Sequence, residues 1–153
     1  MKQFTYIDLF AGAGGLSEGF TRAGFKPIAH VEMNKDACDT IKTRTAYHWL
    51  KENNKTRIYN NYLKSEVKNK EELWKNLPEH LINSVINKEI SENSLPEIFK
   101  IIDKELNGKK VDLIIGGPPC QAYSVVGRAR KDMESDSRNH LYKHYVKFLE
   151  KYK

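Results

Sequence analysis

Cysteine is scarce in this sequence: Cys38 and Cys120 are the only two among 153 residues. Two are too few for a disulfide framework or a cysteine zinc site. The five histidines (His30, His48, His80, His140, His144) are scattered. His140 and His144 share a helical spacing, but a zinc-binding HEXXH pattern needs glutamate where Leu141 stands. No metal is expected. Long apolar runs are also missing, and nothing approaches the roughly 20 residues of a membrane span. The opening "MKQFTYIDLF" has neither an apolar leader segment nor a small-residue cleavage site, so the expectation is a cytoplasmic protein, nucleoid-associated if bacterial. Acidic residues are the minority charge: 20 Asp and Glu against 26 Lys and Arg give a net +6. That balance suits a polyanionic partner without identifying one.

What the chain does have is the rhythm of an α/β fold. "FTYIDLF" (4–10) reads as a strand closed by glycines. "GGLSEGFTRAG" (14–24) sets Leu16, Phe20 and Ala23 at helical spacing before the stop signal Gly24. "KPIAHVEM" (26–33) reads as a second strand, and Asn34 as the N-cap of a helix through Leu50. "TRIYN" (56–60) is expected to be the third strand. Residues 62–109 read as a helical insertion, with one amphipathic helix on Leu81, Ile82, Val85, Ile86 and Ile90. A second lies on Leu95, Ile98, Phe99, Ile102 and Leu106, capped by Ser94. "VDLIIGG" (111–117) has the continuous apolar character of a central strand covered on both faces. A basic, irregular stretch follows it, then a helix on Leu141, Tyr145, Phe148 and Leu149. The pattern predicts a mostly parallel sheet with helices on both faces.

Two loops stand at the ends of predicted strands, where ligands bind in such sheets. "FAGAGG" (10–15) turns from the first strand into the first helix, and Gly12 and Gly14 allow close backbone approach to a ligand. Glu32 ends the second strand, where its carboxylate can accept hydrogen bonds from ribose hydroxyls. A dinucleotide G-x-G-x-x-G motif needs glycine at 17, and Ser17 stands there, so a nucleoside without a pyrophosphate fits better; S-adenosylmethionine is the candidate. After the strand at 111–117, Pro118 and Pro119 fix two φ angles and end the sheet, holding Cys120 at its edge. A thiolate there is a strong nucleophile, and Arg128, Arg130 and Lys131 are near enough in sequence to lower its pKa. Cys38, inside a helical pattern, reads as an inert packed residue.

"DLFAGAGGLS" (8–17) and "GGPPCQAYS" (116–124), in this order, resemble two signature motifs of the DNA cytosine-5 methyltransferases, and "DSRNHL" (136–141) resembles the family's next motif. The resemblance implies a Rossmann-like S-adenosylmethionine-dependent methyltransferase fold, incomplete on its C-terminal side. It implies that Cys120 attacks carbon 6 of a flipped-out cytosine in double-stranded DNA. Phe10, Ala11, Gly12, Ala13, Gly14, Gly15, Leu16, Glu32, Met33, Pro119 and Leu141 would border the cofactor, Leu141 and Pro119 flanking its adenine or the target base. Gln121, Ser124, Arg128 and Arg138 would contact DNA, with the 122–138 loop closing over the flipped base. The family's short acidic motif after the third strand has no clear counterpart, with Asn60 or Asn61 in the expected place. Its Glu-Asn-Val motif, target-recognition region and C-terminal helix are not found in the 153 residues. The expectation is therefore an amino-terminal part of a catalytic domain, inactive alone, that self-associates or pairs with its missing half. A transfer-RNA cytosine-5 methyltransferase and a non-catalytic cofactor- or DNA-binding module remain open; a nicotinamide oxidoreductase is disfavoured by Ser17.

Overall fold

A computed structural model describes residues 3–65, 69–118 and 141–152. Its centre is a parallel sheet of four strands: β1 (Thr5–Leu9), β2 (Lys26–Glu32), β3 (Val85–Asn87) and β4 (Leu113–Gly116), in the order β3-β2-β1-β4. β1 is buried along its whole length, as a central strand requires. Its residues alternate between faces. Ile7 and Leu9 enter the main core with Val31, Ile86 and the residues Leu95, Ile98, Ile102 and Leu106 of α6 (Leu95–Leu106). Phe148 of α7 (Leu141–Lys151) closes that core. Tyr6 and Asp8 belong to the opposite face, where α1 (Gly15–Arg22) and α2 (Lys35–Glu52) lie. Helices thus cover both faces, as expected.

Pro27 sits inside β2 without a backbone donor, and the ladder tolerates it because the β1–β2 register shifts at that point, between Tyr6 and Ile7. Asn34 caps α2 as its residue type predicts, its Oδ1 accepting from the Ala37 N–H at 2.9 Å. Ser94 precedes α6 but does not cap it through its side chain. Its hydroxyl accepts from the Ser91 N–H at 3.0 Å and is 2.5 Å from the Glu89 carbonyl, closing the loop before the helix instead.

The third strand is not at 56–60. That run belongs to α3 (Thr56–Lys64), the first of three short helices followed by α4 (Lys70–Trp74) and α5 (Glu79–Asn83). Its β-branched and aromatic residues favour a strand locally, but Ile58, Tyr59 and Tyr62 pack on a satellite core of Ala46, Leu50, Leu73 and Leu77, and tertiary burial decides. The strand is Val85–Asn87, inside the run expected to be helical. Val85 packs with Ala11, Cys38 and Ile41 on one face, while its neighbour Ile86 enters the main core on the other. Adjacent residues buried on opposite sides need a strand's two-residue period. α3, α4 and α5 are therefore a helical layer outside α2, and α6 is the crossover from β3 to β4. β4, expected to be central, is the edge of the sheet among the described residues, and only Ile115 in it is fully buried.

Candidate functional site

β1 and β4 end level with each other. Leu9 is paired with Gly116, so the turn after β1 and the loop after β4 leave from one edge of the sheet. The fit there is close: a Cβ on Gly116, whose φ is 136°, would stand 1.9 Å from the Leu9 carbonyl oxygen. Only glycine permits this approach.

The turn after β1 is built by left-handed residues, Phe10 at φ 56°, Gly12 at 54° and Gly14 at 76°. Among the described residues, a Cβ on Gly12 would meet no atom within 4 Å, so this side of the turn is open there. Gly14 has a different reason. It is buried, and a Cβ there would press on Ile41 Cγ1 at 3.1 Å, so its lack of a side chain serves the packing of α1 on α2. Ala11 packs inward, whereas Ala13, Gly15 and Leu16 are exposed.

Glu32 organises this edge. One carboxylate oxygen accepts from the Gly12 N–H at 2.8 Å and the other from the Asn34 N–H at 2.8 Å. Both oxygens retain lone pairs for further donors. Met33, the next residue, is 67 % exposed, and Leu16 across the turn is 52 % exposed. A bare thioether thus follows the hydrogen-bonding carboxylate in the chain, and a bare isobutyl group stands at the start of α1, a combination suited to a ring system carrying hydroxyls.

Beneath the turn, Ser17 of α1 donates to the buried carboxylate of Asp8 in β1. Burial pushes the Asp8 carboxyl up to about 6, the Ser17 hydrogen bond opposes this, and the Glu32 charge adds to it. Glu18 fastens α1 to α2: it lies 2.9 Å from His48 Nε2, with Arg22 and Arg44 beside it. Those partners, His48 first, hold its carboxyl below the usual range. Cys38 is buried, as expected of an inert residue, and its thiol donates to the Glu32 carbonyl at 3.3 Å.

Of the site residues expected from sequence, Phe10 to Leu16, Glu32 and Met33 come together at this edge. Leu141 is half-buried at the start of α7, which is joined to β4 by the hydrogen bond from the Tyr145 hydroxyl to the Ile114 carbonyl at 3.1 Å. Pro119, Cys120, Gln121, Ser124, Arg128 and Arg138 lie outside the described residues, although Gly117 and Pro118, which lead to the cysteine, are within them. Asn60 and Asn61 lie in α3 and cannot follow the third strand. The acid that does is the exposed Glu89, two positions beyond β3. Placing the strand at 56–60 hid it.

No helix among the described residues is long and apolar enough to cross a membrane. No solved structure matches the chain. Among curated proteins it is 42 % identical over 168 residues to the type II methyltransferase M.Bpa9945I of Bacillus paralicheniformis, covering 96 % of this chain and 38 % of that protein. It is 32 % identical to the type II methyltransferase M1.HphI of Haemophilus parahaemolyticus, over 95 % of this chain and 28 % of that one. A putative type II methyltransferase of Methanocaldococcus jannaschii is 35 % identical, over 90 % of this chain and 40 % of its own length. The chain thus spans two fifths or less of these relatives. The model of C-5 cytosine-specific DNA methylases matches residues 4–72 and 71–153. With both loop motifs and nearly the whole chain inside that match, the protein belongs to the C-5 cytosine-specific DNA methylase family.

Proposed function

We propose that this chain is the cofactor-binding and cysteine-bearing part of an enzyme that methylates carbon 5 of cytosine in DNA. The observation that carries it is the pairing of Leu9 with Gly116, because the glycine turn and the root of the Pro118–Pro119–Cys120 loop then share one edge. S-Adenosylmethionine is the methyl donor. The space open beside Gly12, the two-oxygen acceptor Glu32 and the bare Met33 and Leu16 side chains fit a nucleoside carrying a sulfonium. Glu32 would accept from the ribose hydroxyls while its existing bonds hold the turn still. Glu89 stands at the neighbouring strand end as a further acceptor. Bound there, the donor supplies an electrophilic methyl group.

Carbon 5 of neutral cytosine is a poor nucleophile. The Cys120 thiolate adds to carbon 6, an S–C bond forms, and the displaced π pair makes carbon 5 electron-rich. Carbon 5 would take the methyl group as its bond to the donor's sulfur breaks, leaving a thioether; loss of the carbon 5 proton to water and expulsion of the Cys120 thiolate would then restore the ring. Gln121, Ser124, Arg128 and Arg138 would hold the DNA around the extruded base. The type II methyltransferase names of the relatives favour DNA over transfer RNA as substrate, in a restriction–modification setting.

The relatives are longer than this chain, and we propose that length of that kind serves base recognition. We propose that it also covers the outer edge of β4 and the α7 face where Val146 and Leu149 are each 43 % exposed. The 153-residue chain alone is then expected to transfer no methyl group to duplex DNA, and efficient transfer by it would contradict this.

A duplex with 5-fluorocytosine at the target tests the nucleophile, because fluorine cannot leave as a proton and the adduct accumulates. A full-length enzyme carrying this chain should form a denaturation-resistant adduct that requires S-adenosylmethionine, and its Cys120→Ser variant should form none. An adduct that survives this substitution would overturn the assignment.

A further inference from the structure

We infer that Asn87 is a positioning residue for the Glu32–Met33 turn, and through it for the methyl-donor site; the inference rests on the cofactor site proposed above. Asn87 is the last residue of β3 and the register partner of Glu32, the last residue of β2. Beyond this pair the two strands part. The Glu32 carbonyl still has a ladder partner, the Lys88 N–H at 3.0 Å, but the Met33 carbonyl has lost its place in the sheet. Asn87 supplies what the ladder no longer can. Its Nδ2 donates to the Met33 carbonyl at 2.8 Å and to the Glu32 carbonyl at 3.1 Å.

The consequence lies on the other side of the same two residues. The Glu32 carboxylate reaches Gly12 N–H and Asn34 N–H only if the backbone at 32–34 holds one course. The direction of the exposed Met33 side chain likewise depends on that course. Asn34 fixes the far end by capping α2, and the Cys38 thiol donates to the Glu32 carbonyl from within α2. Asn87 is the clamp from the neighbouring strand. Its chemistry is specific: a short side chain with two N–H donors on one nitrogen serves two carbonyls at once. Aspartate has the same shape but would set carboxylate oxygens against both carbonyls, and alanine leaves the Met33 carbonyl to water while the Glu32 carbonyl keeps the Lys88 N–H and the Cys38 thiol.

Both of these hydrogen bonds from the Asn87 amide go to backbone carbonyls, so its effect travels through Glu32 and Met33. A cofactor titration by calorimetry tests this with Asn87→Ala, Asn87→Asp, Glu32→Ala and the E32A/M33A pair. Loss of two hydrogen bonds predicts that Asn87→Ala weakens S-adenosylmethionine binding about tenfold, with Asn87→Asp at least as damaging. In the E32A/M33A background the same change should have no further effect, since nothing remains to be positioned. A merely structural role would lower affinity by the same factor in both backgrounds, and that result overturns the inference. So does unchanged binding by Asn87→Asp when Glu32→Ala binds weakly. If Glu32→Ala itself binds as tightly as the parent, the cofactor site is what has failed, and the two failures are separable.

Discussion

Gly12 meets two separate demands, a left-handed backbone and an empty space where a side chain would point. An alanine there pays about 1 kcal/mol for the backbone and then occupies the space reserved for the ligand. Gly12→Ala should therefore lower unfolding free energy only modestly in urea, while cofactor affinity falls by about tenfold or more. Equal, small effects on both would mean that the open space is not a binding surface. Gly116 makes a harsher demand, because its Cβ would collide with the Leu9 carbonyl rather than meet solvent. Gly116→Ala should cost about 4 kcal/mol or more, seen as a large fall in the urea midpoint. The sequence made Gly12 and Glu32 legible because turn glycines and strand-end acids carry a local signature. It placed Gly116 in the strand and in a motif without showing its contact with Leu9, and it left Asn87 invisible, because both constraints come from strands far off in the chain.

β1, α1, β2, α2, α6 and α7 were readable from the sequence because each has a strong period and flanking glycines or caps. β3 was not. Three residues are too few to show a period of two, and Leu81, Ile82, Val85, Ile86 and Ile90 satisfy a helical spacing as well. The start of α3 was misread for the complementary reason: Ile58 and Tyr59 look like strand residues until α2 offers them a surface. The helical layer α3–α5 has its own small core, which predicts partly independent stability. Leu73, 3 % exposed within that core, is the element's anchor. Leu73→Ala should cost about 3 kcal/mol. Amide hydrogen exchange should rise across 56–83 while β1 and β2 keep their protection. Uniform acceleration through the sheet would show instead that the layer and the sheet unfold as one unit.

Taken whole, the molecule buries two titratable groups side by side. Asp8 and His30 are register partners on β1 and β2, each almost fully buried with one polar atom unpartnered among the described residues. Burial raises Asp8 from 3.8 to about 6 and lowers His30 from 6.5 to about 4. The signs oppose. Protonated Asp8 stabilises the fold fully below pH 3.8, and this is lost as pH rises through about 6. Neutral His30 contributes fully above pH 6.5, and this is lost as pH falls through about 4. Between those limits the two slopes largely cancel, and the parent should show little change from this pair. Asp8→Asn should leave stability rising with pH across the window, and His30→Gln should leave it falling; urea titrations at several pH values read both slopes. Slopes of the opposite sign would mean that these groups are ionised in the fold.

The most direct test of the proposed donor site needs no DNA. S-Adenosylmethionine titrated into the isotope-labelled 153-residue chain should shift the amide resonances of Gly12, Met33 and Asn34 in saturable fashion, with Glu32→Ala abolishing or strongly weakening the response. Saturable binding that leaves those amides unmoved, or no binding at millimolar cofactor by a chain whose spectrum is that of a folded protein, would contradict the account.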